Sequence, residues 1–274
     1  MLYALLVLFC LYYLVPLFVM VPTSLKSVAE IRDGYLIALP DAPTFAAWTK
    51  AWDTACAGVR CDGLKPYFWN SVMMVVPAVA LSTFLGAING YALTKWRFRG
   101  TNVIFALMLF SAFIPSQVVV PMARTLGALG LAGSVFGLIL VHTVYGLAFS
   151  TLFFRNFFVG VSDAIVNAAK IDGAGFFRIF FMIMMPMALP AMVVTVIWQF
   201  TQIWNDFLLG VIFTIGDSNP LTVALNNLVN TSTGVKEYNV DMAAAIIAAL
   251  PTLLVYIVAG KYFVRGLAAG AVKE

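Results

Sequence analysis

Charged residues, histidine and nucleotide-binding motifs are scarce in this sequence. Charged side chains make up 10% of the 274 residues and hydrophobic ones 62%, compared with about a quarter and about half in soluble domains. No G-x-x-x-x-G-K-[ST] phosphate loop is present, so we expect no ATP hydrolysis by this chain alone. The one histidine, His142, suits a packed, hydrogen-bonded residue better than a zinc or serine–histidine site. The sequence therefore predicts a non-catalytic protein with no cofactor and no metal of its own.

The abundant apolar residues form long runs that predict membrane spans. Mean hydropathy is +0.97, and about 20 apolar residues are enough for a helix to cross a bilayer. The runs lack the two-residue alternation of barrel strands, so only helices can satisfy their backbone in lipid. We predict an all-α polytopic membrane protein, a single domain over 1–274 with six transmembrane helices. The predicted spans are residues 2–25, 69–94, 102–123, 134–157, 187–212 and 241–262.

The basic residues indicate which ends of the spans face the cytoplasm. The net charge is +4, but no basic stripe with stacking aromatics is present, so we expect no nucleic-acid binding. Nine basic residues lie on one side, at 95–100, 155–178 and 261–274, against two in the short loops of the other side. Short cytoplasmic loops are enriched in lysine and arginine. Both termini and the segment 158–186 are therefore predicted to be cytoplasmic, and the loops 26–68 and 213–240 external.

Cysteine is also scarce, with three residues in the sequence. Cys10 lies in an apolar run and is expected to be a packing residue. Cys56 and Cys61 fall in the loop 26–68, whose external location permits a disulfide. We favour this bridge, in a structural role, over two free thiols. Apolar and aromatic residues recur at helical intervals around Trp48 of the same loop, so we expect a small folded cap rather than a flexible linker.

The stretch NAAKIDGAGFFRIFFMIMMP, residues 167–186, interrupts the apolar runs with alanines, an acidic residue and glycines. Ser162 is a good N-cap, Asp163 suits the positive end of a helix, and Gly173 offers a C-cap. These signals predict one short helix over 163–172, outside the membrane.

A helix of about ten residues is marginal in water, so the helix 163–172 needs a surface to lie against. Ala168 and Ala169 permit close approach of a neighbour, and Ile165 and Ile171 provide apolar anchors. This pattern suits a helix that binds in a groove of a cytoplasmic partner. The alternative is a loop helix that packs only on its own bundle.

This segment resembles the coupling loop of permease subunits in ABC importers, which has the pattern E-A-A-x-x-x-G-x9-I-x-L-P. The matching residues are Ala168, Ala169, Gly173, Ile183 and Pro186. Asn167 stands where the pattern has glutamate, and Met185 where it has leucine. The likeness extends over the chain and is greatest to the glucose/mannose permeases among carbohydrate importers. The likeness to glucose/mannose permeases is carried by FWNSV, INGYALTKWRFRG, LFFRN, IWQFTQIWNDF and ALNNLVNTSTGVKEYNVDMAAA. The stretches AAKIDGAG, WNDF and GLAAGAVKE resemble the carbohydrate-importer branch as a whole.

The resemblance implies a type I ABC importer permease fold in the bacterial inner membrane, and a machine of several subunits. This chain would form half of the pore for a sugar, glucose or a related monosaccharide, beside a second and usually different permease. Two copies of a cytoplasmic ATPase would bind ATP and Mg²⁺, and a periplasmic or extracellular protein would deliver the sugar. The helix 163–172 would lie in an ATPase cleft, and residues 266–274 of the cytoplasmic tail 263–274 would reach the ATPases as well. The residues implied at the ATPase contact are Asn167, Ala168, Ala169, Ile171, Asp172, Gly173, Ile183 and Pro186.

Polar residues in the predicted span 187–212 are candidates for the substrate path. They are Trp198, Gln199, Gln202, Asn205 and Asp206. Gln199, Gln202 and Asp206 stand at i, i+3 and i+7, so they share one helical face. An ionisable residue inside a membrane is a functional candidate, and the alternative is a polar face that joins helices or meets headgroups. Weaker candidates are the lone polar residues Asn70, Asn89, Tyr91, Gln117 and Tyr145.

The loop 213–240 is a candidate for contact with the external binding protein. In the permeases that this chain resembles, the corresponding loop probes the binding protein's sugar cleft. That resemblance implies contact through Asn226, Asn227, Asn230, Thr231 and Ser232.

Two other functions fit a protein with these spans. An ion- or proton-coupled secondary transporter is the first, but such transporters usually contain repeated halves and several intramembrane acids, and we find no internal repeat. A structural membrane subunit is the second, and it would leave the polar residues of 187–212 unexplained.

Overall fold

The computed structural model describes residues 2–35, 37–112, 115–231 and 235–271, which are nearly all helical. Within these ranges there is no β-strand, only two isolated bridges. The α-helices in chain order are α1 (Leu2–Ser24), α2 (Val28–Asp33), α3 (Ala46–Asp53), α4 (Lys65–Lys95), α5 (Thr101–Ala112), α6 (Pro115–Ala128), α7 (Val135–Val159), α8 (Asp163–Ile171), α9 (Phe176–Ile179), α10 (Met185–Met187), α11 (Leu189–Trp204), α12 (Leu208–Phe213), α13 (Leu221–Asn230) and α14 (Tyr238–Ala271). A π-helical turn at Phe180–Met184 and a 3₁₀ turn at Gly216–Ser218 also occur. The predicted all-α fold is confirmed.

Four described helices are long and apolar enough to cross a membrane: α1, α4, α7 and the part Tyr238–Gly260 of α14. A fifth crossing is available if the bent pair Phe176–Met187 and Leu189–Trp204 spans as one unit. The predicted span 102–123 falls instead on two shorter helices, α5 and α6. A crossing there stays a prediction.

The helices divide into two compact units. The first consists of Met1–Ser71 and Asn219–Pro251, and the second of Val72–Ser218 and Thr252–Glu274. In the first unit the loop 26–68 carries α2 and α3, and the Trp48 indole N–H donates to Ser24 Oγ at 3.2 Å. Cys56 and Cys61 are joined by a disulfide. The predicted folded cap and its bridge are confirmed.

Most of α1 is exposed. Cys10 is exposed on this helix, so the packing partner expected for it is not in the described part of this chain. The end of α1 is buried at Pro22, Thr23 and Ser24. Of the predicted tail, 263–271 continues α14 as helix, and 272–274 lie outside the described residues.

In the second unit, α7 packs against α5, α11 and α12. The part of α4 in this unit lies close to α7, since a Cβ at Gly90 would be 2.8 Å from the backbone nitrogen of Arg155 and 2.8 Å from Phe154 Cβ. The absence of a side chain at Gly90 therefore allows this close approach. The buried residues of the core between α4, α7 and the segment 158–186 are Ala87, Tyr91, Phe154, Phe158, Val161, Val166, Ala169, Ile179, Phe180, Met184 and Ala188.

The chain bends sharply where the sequence analysis starts a span at 187. The helical segments Phe176–Met187 and Leu189–Trp204 meet at an angle of 79°. The bend follows a π-helical turn and precedes Pro190, which has no N–H to donate to the preceding turn. Pro186 lies in α10, before the bend, so the straight helix begins at Leu189 rather than at 187.

Candidate functional site

Helix α8 forms where the sequence predicts it, from Asp163 to Ile171 with Asp172 as its C-cap. The Ser162 hydroxyl accepts the Ala164 N–H, which satisfies one of the free donors of the first turn. Gly173 has a φ of +77°, a left-handed conformation that favours glycine. Gly173 N–H donates to Lys170 O and Ala174 N–H to Ala169 O, the paired bonds of a Schellman cap.

The two faces of α8 have different surroundings. Val166, which is 2% exposed, and Ala169 point into the core of the chain itself. Ile165, Ala168 and Ile171 are exposed, Ile171 to 86%. The expectation that both alanines face a partner is therefore wrong for Ala169, because adjacent residues of a helix are about 100° apart.

The other predicted coupling residues are divided between the exposed surface and the core. Asn167, Asp172, Gly173 and Pro186 are exposed. Ile183 is half-buried, and it packs against the buried core. The outer face of α8 and its C-terminal turn thus present a surface that the described part of this chain leaves uncovered. Ile183 belongs to the packed bundle and not to this surface.

A lysine at the end of α4 fixes the start of α8. Lys95 Nζ donates to Val161 O and to Asp163 Oδ1, each at 2.5 Å, and the Lys95 side chain is only 3% exposed. These three residues form a contact that we call the Lys95 clamp. The Lys95 ammonium, by donating to the carboxylate and by its charge, holds the pKa of Asp163 below its usual value. The Lys95 clamp was not predicted, because Lys95 counts in the sequence only as a topology signal and nothing there links it to a residue 68 positions later.

A second contact fixes the end of α8. Lys170 Nζ lies 4.1 Å from the centroid of the Trp96 ring, a cation–π geometry. The Trp96 indole N–H in turn donates to the Tyr91 hydroxyl at 2.6 Å. Tyr91, a weak candidate for a polar role in the sequence, is buried in the core beside Phe176 and Phe180. Helix α8 is therefore attached to the end of α4 at both of its own ends.

Among the residues predicted to line a substrate path, Gln199 is buried inside the chain. It is 3% exposed, and its Nε2 donates to Gly146 O and to Ser150 Oγ, each at 2.7 Å. Its carboxamide thus binds α11 to α7. For Gln199 the structure supports the alternative interpretation, a polar residue that joins helices.

Three of the predicted path residues are more exposed than Gln199: Trp198 and Gln202 of α11, and Asn205 at its C-cap. Gln202 and Asn205 are exposed, and Asn205 Nδ2 donates to Thr201 O at 2.9 Å. The Trp198 ring is partly exposed and contacts Phe149 and Phe153. Gln199 and Gln202, predicted to share one face, therefore have opposite surroundings. Of the weaker candidates, the Gln117 side chain lies outside the described residues.

Asp206 was predicted within a continuous span but lies at a break between two helices. Helix α11 ends at Trp204, and α12 begins at Leu208. Asp206 Oδ2 accepts the Gly210 N–H at 3.1 Å and lies 3.7 Å from His142 Nε2. His142 is buried as expected, but Nε2 has no hydrogen-bond partner among the described residues. The Asp206–His142 approach was not predicted, because the two residues lie on different helices.

The residues predicted to contact a binding protein lie at the end of α13 and just after it. Asn226 and Asn230 are exposed, and Asn230 Nδ2 donates to Asn226 Oδ1 at 3.0 Å. Asn227 and Thr231 are half-buried, and Thr231 Oγ1 accepts the Gly58 N–H of the disulfide loop at 3.3 Å. Ser232 lies outside the described residues. The loop predicted over 213–240 therefore contains a helix that carries three of these residues, with Thr231 as its C-cap.

The chain is similar to known transport proteins over its whole length. Residues 78–268 match the family model described as "Binding-protein-dependent transport system inner membrane component". A probable ABC transporter permease of Pyrococcus horikoshii is 37% identical, over 100% of this chain and 96% of that protein. A diacetylchitobiose uptake system permease of Streptomyces coelicolor is 35% identical, over 93% of this chain and 83% of that protein.

A solved structure shows the same fold. It is a bacterial ABC transporter involved in the import of the polysaccharide alginate, with a TM-score of 0.82 and 24% identity over 95% of this chain and 94% of the other. The family match covers well over half of the sequence, including α8 and the whole of 187–212. The chain therefore belongs to the binding-protein-dependent transport system inner membrane components, the multi-pass permeases of ABC transporters.

Proposed function

We propose that this permease imports a sugar, glucose or a related monosaccharide, with energy from ATP hydrolysis in partner ATPases. Permease components of ABC transporters are non-catalytic, so ATP and Mg²⁺ would bind to the partners, and this chain would hold no cofactor. The relative named for diacetylchitobiose uptake supports a carbohydrate. Glucose itself rests on the resemblance of the stretches quoted above to glucose/mannose permeases.

The observation that carries this proposal is the two-sided environment of α8. Its inner face is fixed in the core, and its outer face, Ile165, Ala168 and Ile171, is uncovered by the described chain. A short amphipathic helix with an exposed apolar face suits a groove in a partner protein. In this proposal the groove belongs to an ATPase, and Asn167, Asp172 and Gly173 lie at the edge of the contact.

The attachments of α8 suggest how movement would pass to the spans. When ATP binding closes the ATPases, the docked helix would move with them, and the Lys95 clamp would carry that displacement into α4. Ile183 and the buried core would carry it into α7. Two arrangements of the bundle, inward-facing and outward-facing, would then alternate as ATP is bound and hydrolysed.

The rest of the machine follows the same proposal. A second permease, usually a different chain, would complete the pore, and two ATPase copies would bind on the cytoplasmic side. A periplasmic or extracellular binding protein would contact the end of α13 through Asn226, Asn227, Asn230 and Thr231, with Ser232 beyond them. Both termini would be cytoplasmic. Gln202, Asn205, Trp198 and Asp206 remain our candidates for the sugar path, since hydroxyl groups require polar partners and aromatic faces.

Co-purification and transport measurements test the proposal together. A tagged chain should bring down an ATPase and a second permease, and vesicles should take up sugar only with ATP and binding protein. Ala168→Asp places a charge on the exposed apolar face of α8 and should abolish ATPase attachment while the second permease is retained. Ala46→Asp adds the same charge to an exposed alanine of α3 and is the matched control.

Two results would contradict the proposal. One is normal ATPase attachment in Ala168→Asp, which would show that the outer face of α8 is not the docking surface. The other is uptake driven by an ion gradient without ATP, which would favour a secondary transporter. A panel of labelled sugars, in competition with glucose, then identifies the substrate.

A further inference from the structure

A cavity of about 360 Å³ lies in the second unit, where α4 ends, α5 begins and α7 ends. Its lining residues are Leu93, Thr94, Arg97, Phe98, Gly100, Thr101, Asn102, Val103, Arg155 and Val159. The volume falls within the range of about 300–1,000 Å³ that is typical of small-molecule sites. None of the coupling or substrate-path residues discussed above lines it. Its chemistry is therefore separate from the proposed transport function.

Two arginines supply the charge of this cavity. None of its ten described lining residues carries a carboxylate. The nearby Asp163 feels the charge of Arg97 but is already bonded to Lys95. The lining of the cavity thus carries two positive charges and, among the described residues, no negative charge.

The two guanidinium groups are held in place and retain donors. Arg97 Nε donates to Thr94 O at 3.1 Å, and the Arg155 guanidinium carbon lies 4.1 Å from the centroid of the Phe105 ring. Arg155 Nε is buried and has no hydrogen-bond partner among the described residues. A buried donor without a partner is costly, and an anion with several acceptor oxygens would satisfy it.

The arginines are the main groups of the cavity that could bind an anion, because the two threonine hydroxyls already bond to the backbone. Thr101 Oγ1 donates to Phe98 O at 2.8 Å and accepts Phe98 N–H at 3.1 Å. Thr94 Oγ1 donates to Gly90 O at 2.7 Å. Asn102 is exposed at the start of α5. Arginine binds phosphate oxygens with paired hydrogen bonds, so phosphate is the anion that this set of donors fits.

We propose that this cavity binds the phosphate headgroup of an anionic phospholipid. Phe98, Val103 and Val159 line the cavity and are themselves exposed, so apolar surface stands beside the two arginines. A lipid satisfies both features, because its glycerol and acyl chains would cover the apolar residues, whereas free phosphate would leave them in water. Basic pockets at the ends of membrane helices are known to hold such headgroups. The proposal requires only the membrane location of the family and not the proposed sugar.

The test uses the complete transporter complex in nanodiscs, with phosphatidylglycerol and phosphatidylcholine in equal amounts. Native mass spectrometry of the released complex then counts the retained lipids. We expect the unmodified protein to retain phosphatidylglycerol preferentially, and the preference to fall about fivefold for each arginine removed in Arg97→Gln and Arg155→Gln. Arg99→Gln removes the same charge from a neighbouring exposed residue outside the cavity and should leave the preference unchanged.

A further variant covers the case in which loss of an arginine impairs folding. Asn102→Glu places a carboxylate on an exposed lining residue and should also reduce phosphatidylglycerol retention, with normal assembly by size-exclusion chromatography. Equal retention in the unmodified protein, in Asn102→Glu and in a variant that carries both Arg97→Gln and Arg155→Gln would overturn the proposal. Displacement of the lipid by millimolar inorganic phosphate would overturn the choice of a lipid and assign the site to free phosphate.

Discussion

The Asp206 carboxylate combines two contacts at one residue. It accepts the Gly210 N–H in the first turn of α12 and approaches His142 of α7. The first contact is a capping bond, whose loss costs about 1 kcal/mol in typical helices. The second places a carboxylate and an imidazole together at a break in helix, where a polar ligand can reach backbone groups. A structural role and a role in the sugar path therefore predict different results for different substitutions.

Replacing Asp206 in two ways separates these roles. Asp206→Asn keeps an oxygen that can accept the Gly210 N–H but removes the charge, and Asp206→Ala removes both. If the carboxylate lines the sugar path, we expect both variants to lose most uptake in vesicles while the complex still co-purifies. Normal uptake in Asp206→Asn together with poor assembly of Asp206→Ala would instead identify Asp206 as a helix cap alone.

At the scale of the element, the stability of α8 comes from the contacts at its two ends more than from its length. With nine residues it is too short to be stable in water by itself. The Ser162 cap, the Lys95 clamp and the Schellman turn at Gly173 each restrict it. Its orientation is thereby fixed before any partner binds, which reduces the ordering cost of docking.

Gly173→Val tests the C-terminal restraint. The positive φ of Gly173 would strain a β-branched residue by about 1–2 kcal/mol, so the end of α8 should unwind. We expect faster amide hydrogen exchange at 168–174 and weaker ATPase attachment, with normal insertion of the spans. Gly175→Val is the control, because Gly175 has a φ of −79° and open space around it. Similar behaviour of the two variants would show that the left-handed turn is not needed for docking.

At the scale of the whole molecule, the orientation in the membrane decides which partner meets which surface. The distribution of nine basic residues against two predicts that α8 is cytoplasmic and that the loop 26–68 is external. The disulfide between Cys56 and Cys61 agrees with an oxidising compartment for that loop. The proposed ATPase and binding-protein contacts require this arrangement.

Thiol labelling measures the orientation directly. In a Cys10→Ala background, a membrane-impermeant maleimide should label Cys56 and Cys61 in intact cells only after reduction of their disulfide. In inverted vesicles stripped of the ATPases, Ala168→Cys on the exposed face of α8 should be labelled, and it should stay unlabelled in intact cells when Cys56 and Cys61 are bridged. The reverse pattern would place α8 outside and exclude its contact with a cytoplasmic ATPase.

The sequence by itself determined the all-helical class, the positions of the longest spans and the limits of α8. These follow from local physics: apolar length, N-cap and C-cap residues, and the left-handed preference of glycine act within a few residues of chain. The motif pattern likewise identified the family, since its spacing is a property of the sequence. The break after Trp204 was not predicted, because Asn205 and Asp206 fit polar positions of a continuous span as well as they fit a turn.

Only the tertiary structure decided which face of each helix is buried and which distant residues meet. Ala169 turns inward while Ala168 stays exposed, Gln199 binds α7, and Lys95 reaches Asp163. Each of these outcomes depends on the packing of helices that are far apart in sequence. Side-chain type and spacing limit the roles that a residue can have, and its neighbours across the bundle determine which of these roles it takes.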